Sequence, residues 1–385
     1  MTIDQLKTII QSTHLNFLFG SGCSVPFLSA LGNIELLLAE IPTLAIDTDQ
    51  KEIIRASVLK DYFEKSIYNN TELISNAPNA DRDAVNKKYE DFIKALYYIL
   101  LYRRTDLLNK QANIFTTNMD IFFEVNSEKI GVSLNDGFKG RIKPKFDMSN
   151  FKKSIYKTSQ LFGNKSEIPS INFYKLHGSV NWKIEDGEIN FDSTLGNIKT
   201  IQALPLVLGT DIITLNDPAS GDSKPLATLV SETAGLTLTD NAKEFLSQYD
   251  VLPIINPTKE KFKETTMNYT YYELIRIMSN ELEKENSLLF VMGFSFADEH
   301  FQEVIMRAAN SNPTLKILIY AYSSAGETEI SKNLGLSDGK NIYNNISFVE
   351  RENAGDPAEE KFDLSVINSK HFNALSNSLK DNFEK

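Results

Sequence analysis

Short apolar runs recur along the chain, and each stops at Gly, Asn, Ser or Asp. Each run is too short for a buried helix, and uninterrupted apolar runs are typical of parallel strands that are covered on both faces. We therefore predict a strand in each of seven segments: 15–24, 112–120, 173–179, 251–258, 287–296, 315–323 and 345–351.

Helical patterns alternate with these runs. Apolar residues recur at i, i+3, i+4 and i+7 in 271–278 and again in 301–308, and Asp298 is placed to cap the second of these helices. Strands that alternate with helices predict an α/β fold with a Rossmann-like, doubly wound parallel sheet. In such a sheet, residues at the carboxyl ends of the strands form the ligand site.

Two regions interrupt the alternation within what we expect to be a single domain, 1–385. Residues 31–111 are mostly helical and are predicted to form an insertion after the first strand. Residues 184–250 open with a hairpin signal at Asp186-Gly187. Their Pro- and Gly-containing stretch 212–226 is predicted to form a loop over or near the site.

Charge and composition exclude several classes of protein. With 40 basic and 51 acidic residues the net charge is −11, so direct binding to a nucleic acid backbone is not expected. No apolar stretch approaches the roughly 20 residues of a membrane span. The first residues lack the basic start and apolar centre of a secretion signal. We expect a cytoplasmic protein that does not contact a membrane.

Cysteine and histidine usage argues against a metal site. Cys23 is the only cysteine, so neither an internal disulfide nor a four-cysteine zinc module can form. The four histidines, at positions 14, 177, 300 and 371, show no metal-ligand spacing. We expect a fold without a zinc module and without a bound metal.

The first strand runs into Gly20-Ser21-Gly22-Cys23-Ser24. Glycines at such a position let backbone N–H groups approach a phosphate closely. The stretch lacks the third glycine of the dinucleotide fingerprint and the lysine of a phosphate loop. A phosphate-binding loop and a plain tight turn therefore both remain open.

Three further motifs each allow two interpretations. Asn118 and Asp120 follow the second strand either as turn formers or as partners for a carboxamide, a hydroxyl or a water. His177, in KLHGSVNW, is either a buried histidine bonded to backbone or a general base. Gly293 and Ser295, in VMGFSF, either lead into a helix cap or contact a ribose or adenine.

Taken in chain order, GSGCS, TTNMD, LHGS and GFSF resemble the sirtuin series GAGxS, TQNxD, ELHGS and GTS, over about residues 15–323. The resemblance implies that Gly20, Ser21 and Gly22 hold the pyrophosphate of NAD. Cys23 and Ser24 would line the same loop.

The resemblance also implies roles for the later motifs. Asn118 would face the nicotinamide ribose and the attacking water, and Asp120 would bind the nicotinamide carboxamide. His177 would be the catalytic base. Gly293 and Ser295 would lie against the adenosine part.

The chain departs from sirtuin deacylases in two ways. It cannot form their zinc module, beside which acyl-lysine peptides bind, and Thr117 stands where the family has a ribose-contacting glutamine. In these respects it resembles the zinc-free, sirtuin-like NAD-consuming effectors of bacterial anti-phage defence, among them the sirtuin subunit of the sirtuin–HerA system. That resemblance implies a homo-oligomer docked on a HerA-type hexameric ATPase.

Without a peptide acceptor, water is the expected nucleophile. The expected reaction is hydrolysis of NAD, as substrate, to nicotinamide and ADP-ribose through an oxocarbenium-like transition state. Cyclisation, an NAD or ADP-ribose sensor without turnover, a peptide-dependent deacylase or ADP-ribosyltransferase, and a Cys23 thiol acting with His177 are the alternatives. Since uncontrolled NAD loss harms the host, we expect restraint by oligomer assembly, a partner or the 212–226 loop.

Overall fold

The structure is a computed structural model that describes residues 3–383, except 30–33, 76, 106, 218–221 and 256–264. Its strands are β1 (His14–Phe19), β2 (Gln111–Thr116), β3 (Leu134–Asn135), β4 (Phe138–Lys139), β5 (Lys145–Phe146), β6 (Ile155–Thr158), β7 (Lys165–Ile168), β8 (Ser170–Lys175), β9 (Trp182–Glu185), β10 (Glu188–Phe191), β11 (Ser287–Met292), β12 (Lys316–Tyr320) and β13 (Ile346–Phe348).

The α-helices are α1 (Ile3–Gln11), α2 (Ile34–Glu40), α3 (Thr48–Tyr62), α4 (Asn70–Leu73), α5 (Ala80–Tyr102), α6 (Phe122–Ile130), α7 (Gly196–Gln202), α8 (Leu226–Glu232), α9 (Asp240–Asp250), α10 (Thr265–Leu282), α11 (Glu299–Ser311), α12 (Ser324–Asn333), α13 (Leu364–Ile367) and α14 (Asn373–Phe383). Short 3₁₀ turns lie at Ser21–Cys23, Ile41–Thr43, Met148–Asn150 and Leu336–Asp338, and π-helical turns lie at Phe63–Tyr68 and Asn368–Phe372. No helix within the described residues is long and apolar enough to cross a membrane.

Seven strands form the central sheet, in the order β13-β12-β11-β1-β2-β8-β3. All neighbouring pairs in it are parallel. From β1 the chain builds outwards through β2 and β8, and it then returns to place β11 on the other side of β1. The predicted doubly wound parallel sheet is confirmed. Its topological switch point, where this class of fold binds ligands, lies between β1 and β11.

Alternation along the strands gives the sheet two apolar faces. Phe17 and Phe19 of β1 belong to one core cluster, and Leu18 belongs to the other. On the first face Phe17 packs edge-on against Phe92 of α5, with ring centroids 5.4 Å apart. Both faces are therefore covered, which accounts for the uninterrupted apolar runs in the sequence.

A row of asparagines crosses the sheet near the amino ends of its strands. Asn135 donates to Asn172 at 3.1 Å, Asn172 donates to Asn113 at 3.1 Å, and Asn113 donates to Asn16 at 2.9 Å. Asn16 completes the row by donating to the Ser287 hydroxyl at 2.8 Å. Because each amide needs its neighbour at the same level, the row favours the observed register of β3, β8, β2, β1 and β11.

Six of the seven predicted strands are confirmed, and the strand at 251–258 is wrong. In that segment Ile254 forms a single antiparallel bridge with Gly178. The Pro253 carbonyl accepts the Ser179 N–H at 3.2 Å, but proline has no N–H to continue a ladder. Residues 256–258 lie outside the described residues. The seventh strand of the sheet is instead β3, which is too short to leave an apolar run.

Two local predictions are also confirmed. Asp186 and Gly187 form the hairpin turn between β9 and β10 with positive φ angles of 55° and 73°. Asp298 caps α11 by accepting the His300 N–H at 2.9 Å. The two stretches with helical spacing lie in α10 and α11, and Leu274, Met278 and Phe301 are buried.

Candidate functional site

A cavity of about 370 Å³ opens at the carboxyl edge of the sheet, beside the switch point. Loops that follow β1, β2, β8 and β11 supply its lining. From the predicted set, the lining residues are Ser21, Ser24, Thr117, Asn118, Asp120, His177, Gly293 and Ser295. Gly20, Gly22 and Cys23 do not line it; they lie where the β1 loop packs against the β11 loop.

The β1 and β11 loops are in backbone contact. A Cβ built on Gly20 would lie 2.3 Å from the carbonyl oxygen of Gly293, and one on Gly293 would lie 2.6 Å from the backbone nitrogen of Cys23. Gly293 also has a φ of +62°, which disfavours any side chain. The glycines at 20 and 293 are therefore required by the approach of one loop to the other.

Several N–H groups of the β1 loop are already engaged inside the protein. Those of Gly20 and Gly22 donate to Met292 and Gly293, both at 3.0 Å, and those of Cys23 and Ser24 donate to Gly20 and Ser21. These four groups are therefore not directed at a ligand in this structure. Side-chain hydroxyls, such as those of Ser21 and Ser295, are the donors that this region presents to the cavity.

Cys23 is a packing residue. It is 4% exposed, and burial raises the pKa of its thiol, with the charge of Asp120 acting in the same direction. A thiol in this state is not a nucleophile at neutral pH. The Cys23–His177 alternative therefore has no support in the geometry.

Asn118, Ser24 and Asp120 form one hydrogen-bonded unit. The Asn118 Nδ2 donates to the Gly20 carbonyl at 3.0 Å and to Ser24 Oγ at 3.3 Å, and Ser24 Oγ donates to Asp120 Oδ2 at 2.6 Å. Ser24 Oγ also contacts the hydroxyl of Tyr89 at 2.9 Å. Since the Ser24 proton goes to the carboxylate, Tyr89 is the donor in that contact. The buried Asn118 Oδ1 has no partner within the described part of the chain.

The charge of Asp120 is shaped by its surroundings. Burial raises the pKa of Asp120, whereas the Lys175 ammonium and the hydrogen bond from Ser24 act in the opposite direction. Lys175, itself buried, contacts the Asp120 carbonyl oxygen and lies 3.2 Å from Glu124 Oε1. A buried cation therefore lies behind the candidate site and offsets the carboxylate.

His177 is held between rings at the cavity wall. Its ring centroid lies 5.4 Å from that of Phe301 and 6.3 Å from that of Tyr271. Its Nε2 lies 3.6 Å from Asp298 Oδ2 and makes no hydrogen bond with any described residue. Its backbone carbonyl accepts the Ile255 N–H at 2.9 Å, and this bond lies beside the bridge at Gly178.

Asp298 carries more than a helix cap. Burial raises the pKa of Asp298, but His177 and the His300 N–H outweigh burial, so the net pKa is below the ordinary value. It therefore remains ionised at neutral pH inside the cavity. Sequence reasoning recognised only the cap, because the contact with His177 joins residues that are far apart in the chain.

The helices after β1 supply the remaining wall. Glu35 of α2, Tyr62 of α3 and Ser66 of the following π-helical turn line the cavity. In contrast, no described residue of 184–250 lines it, which differs from the prediction of a loop near the site. The described part of that region packs on α3 instead: Ile213 N–H donates to Ser57 at 2.9 Å, and Lys60 donates to Gln202 at 2.8 Å.

Within the described ranges, no group of three or more His, Cys, Asp or Glu side chains is arranged to hold a metal ion. The cavity instead combines carboxylates, an amide, hydroxyls and one imidazole on its wall. This set can accept hydrogen bonds from an amide and a water, and it can move a proton.

The comparisons with known proteins support one family. A family model described as a SIR2-like domain matches residues 253–343, a range that contains β11, α11 and the loop between them. No curated protein matches the chain. The SIR2-like match indicates NAD-dependent activity in general. Although it covers less than half of the chain, it supports a sirtuin-like family for this protein.

Proposed function

We propose that this protein is an NAD glycohydrolase, which cleaves the bond between nicotinamide and ribose C1′. The observation that carries the proposal is the meeting of Asn118, Asp120 and His177, from three separate strand ends, in one cavity at the switch point. Residues from distant parts of the chain that converge in such a cavity are the usual mark of an active site.

Each of the three residues has a role that its contacts support. The unpaired Oδ1 of Asn118 accepts a proton from a water or a ribose hydroxyl and so positions the nucleophile. The carboxylate of Asp120, held by Ser24 at 2.6 Å, accepts the N–H of the nicotinamide carboxamide. His177 takes the proton of the attacking water.

The bonds and charges balance without a further reactant. The C1′–N bond breaks and its electron pair goes to the ring nitrogen, which becomes neutral. Water then forms the new C1′–O bond and gives one proton to His177, which releases it to solvent. The products are nicotinamide, ADP-ribose and a proton, and the carboxylates in the cavity stabilise the oxocarbenium-like transition state.

We further propose that the protein acts as an NAD-depleting effector in anti-phage defence, in the cytoplasm, as a homo-oligomer with a HerA-type hexameric ATPase. The order of the four motifs and the SIR2-like match support this setting. Restraint of the activity by the assembly or by the partner belongs to the same proposal.

The test compares acceptors. The purified protein is incubated with NAD, with and without an acetyl-lysine peptide, and the products are separated by chromatography. A hydrolase forms nicotinamide and ADP-ribose in equal amounts without peptide, and His177→Ala abolishes both. O-acetyl-ADP-ribose formed only with peptide would instead identify a deacylase. Binding of NAD without turnover, even with the ATPase present, would identify a sensor.

A further inference from the structure

His177 and Asp298 face each other within the cavity. The Nε2 and Oδ2 atoms are 3.6 Å apart, and the two side chains are 19% and 30% exposed. The distance is slightly longer than a hydrogen bond, and His177 Nε2 has no hydrogen-bond partner within the described residues. A buried ring nitrogen beside an ionised carboxylate is an incomplete contact that a small closure of the site completes.

Asp298 divides its two oxygens between two tasks. Oδ1 accepts the His300 N–H at 2.9 Å and so caps α11. Oδ2 is the oxygen that lies near His177. Capping needs only one acceptor, so it does not account for the position of the second oxygen.

The backbone before Asp298 is held in an unfavourable conformation. Phe296, which is fully buried, has a φ of +59°, and its carbonyl accepts a hydrogen bond from the side chain of Gln302. A bulky residue adopts a left-handed conformation only where the surrounding structure enforces it, often at functional sites. Here this conformation lies in the turn that brings the chain from β11 to Asp298.

We propose that Asp298 is a positioning residue for His177, an inference that rests on the proposed function. In the closed site its carboxylate accepts the Nε2–H of His177. This fixes the imidazole tautomer and leaves Nδ1 as the nitrogen that takes the proton of the attacking water. Asp298 keeps its negative charge throughout, and it stabilises the imidazolium until the proton leaves for solvent.

The other titratable groups around the pair do not replace this carboxylate. Tyr271 packs beside the imidazole, and burial raises the pKa of its phenol, so it carries no charge at neutral pH. His300 lies on α11 beside Asp298 and favours its ionised form. Asp120 lines the same cavity but is held by Ser24 and Lys175. Asp298 is the carboxylate that makes an ion-pair contact with His177.

Asp298→Asn separates the two tasks of this residue. Asparagine caps helices as well as aspartate does, so the His300 N–H keeps its acceptor and α11 keeps its cap. The charge beside His177 is lost. We expect kcat to fall on the order of 10²-fold with little change in KM. The acidic limb of the pH–rate profile should move to lower pH by about one unit, since protonation of the imidazole loses its counter-charge.

Two matched variants control for other effects. Asp47→Asn makes the same change at the cap of α3, where the side chain accepts the Gln50 N–H at 2.8 Å, and it should leave the activity unchanged. Glu299→Gln removes a charge from the cavity lining without a contact to His177. It should leave the acidic limb where it is in the wild type.

A second measurement keeps this inference separate from the proposed function. The ring of His177 is titrated by NMR in ¹⁵N-histidine-labelled protein and assigned with His177→Ala. Its midpoint should fall by about one pH unit in Asp298→Asn. If the wild type does not consume NAD, the proposed function fails, yet this titration still decides whether Asp298 acts on His177. Equal midpoints in the wild type and Asp298→Asn would overturn the inference, as would equal acidic limbs in an active enzyme.

Discussion

Gly20 and Gly293 join the loops after β1 and β11 through direct backbone contact, since a Cβ at position 20 would lie 2.3 Å from the Gly293 carbonyl oxygen. Because backbone cannot yield as a flexible side chain can, Gly20→Ala must push the loops apart. We expect a loss of about 1–3 kcal/mol in the free energy of unfolding, measured by urea denaturation, together with weaker NAD binding by calorimetry.

Gly326→Ala is the matched control for this change. Gly326 lies in α12, and the nearest atom to its built Cβ is the Ser323 hydroxyl at 3.7 Å, an ordinary contact. Alanine there should be neutral or stabilise the helix by up to about 1 kcal/mol. Equal stability of Gly20→Ala and Gly326→Ala would contradict the proposed contact between the loops.

Tyr89 links the long helix α5 to the site through Ser24, with its hydroxyl 2.9 Å from Ser24 Oγ. Tyr89→Phe removes this donor but keeps the stacked ring contact with Phe122, whose centroid lies 4.9 Å away. We expect kcat/KM for NAD to fall by roughly tenfold, because Ser24 is less firmly held against Asp120. The same change at Tyr97→Phe, on an outward-facing turn of α5, should have no effect on kcat/KM.

Cys23 should be inert in the folded protein. Burial raises the pKa of its thiol and shields it from reagents. Iodoacetamide at pH 8 should modify it only after unfolding, as read by mass spectrometry, and Cys23→Ala should retain NAD turnover. Rapid alkylation of the native protein with matching loss of activity would revive the thiol mechanism.

The asparagine row predicts a stability effect that is separate from catalysis. Asn16 is fully buried, donates to Ser287 at 2.8 Å and accepts from Asn113 at 2.9 Å. Asn16→Ala leaves both partners unsatisfied, so the free energy of unfolding should fall by about 2–4 kcal/mol. Asn241→Ala removes an exposed hydrogen bond to Pro205 and should change it by less than about 1 kcal/mol. Similar losses in both variants would show that the row contributes little.

The strands and the edge that carries the site follow from local patterns. Continuous apolar runs that end in polar residues predicted six strands of the sheet, and the general rule for carboxyl ends placed Asn118, Asp120 and His177 in one region. The run at 251–258 misled because apolar content does not reveal that Pro253 cannot donate to a ladder. β3 has only two residues, too few for any period to be visible.

The contacts that complete the site are not encoded in any local period. Tyr89 reaches Ser24 across 65 positions of sequence, and one chain without its relatives gives no signal for such a pair. Asp298 looked complete as a helix cap, because capping is a local interaction. The glycines at 20 and 293 were attributed to phosphate binding, whereas the partner that excludes a side chain is the other loop.

The central claim is that the His177 cavity hydrolyses NAD, and release of nicotinamide tests it most directly. The rate is measured with the wild type and with His177→Ala, without peptide, while NAD binding to both is followed by calorimetry. We predict that the wild type releases nicotinamide and that His177→Ala binds NAD but releases it at least about 10²-fold more slowly. Equal rates in the two proteins, or binding of NAD by the wild type with no release, would contradict the account.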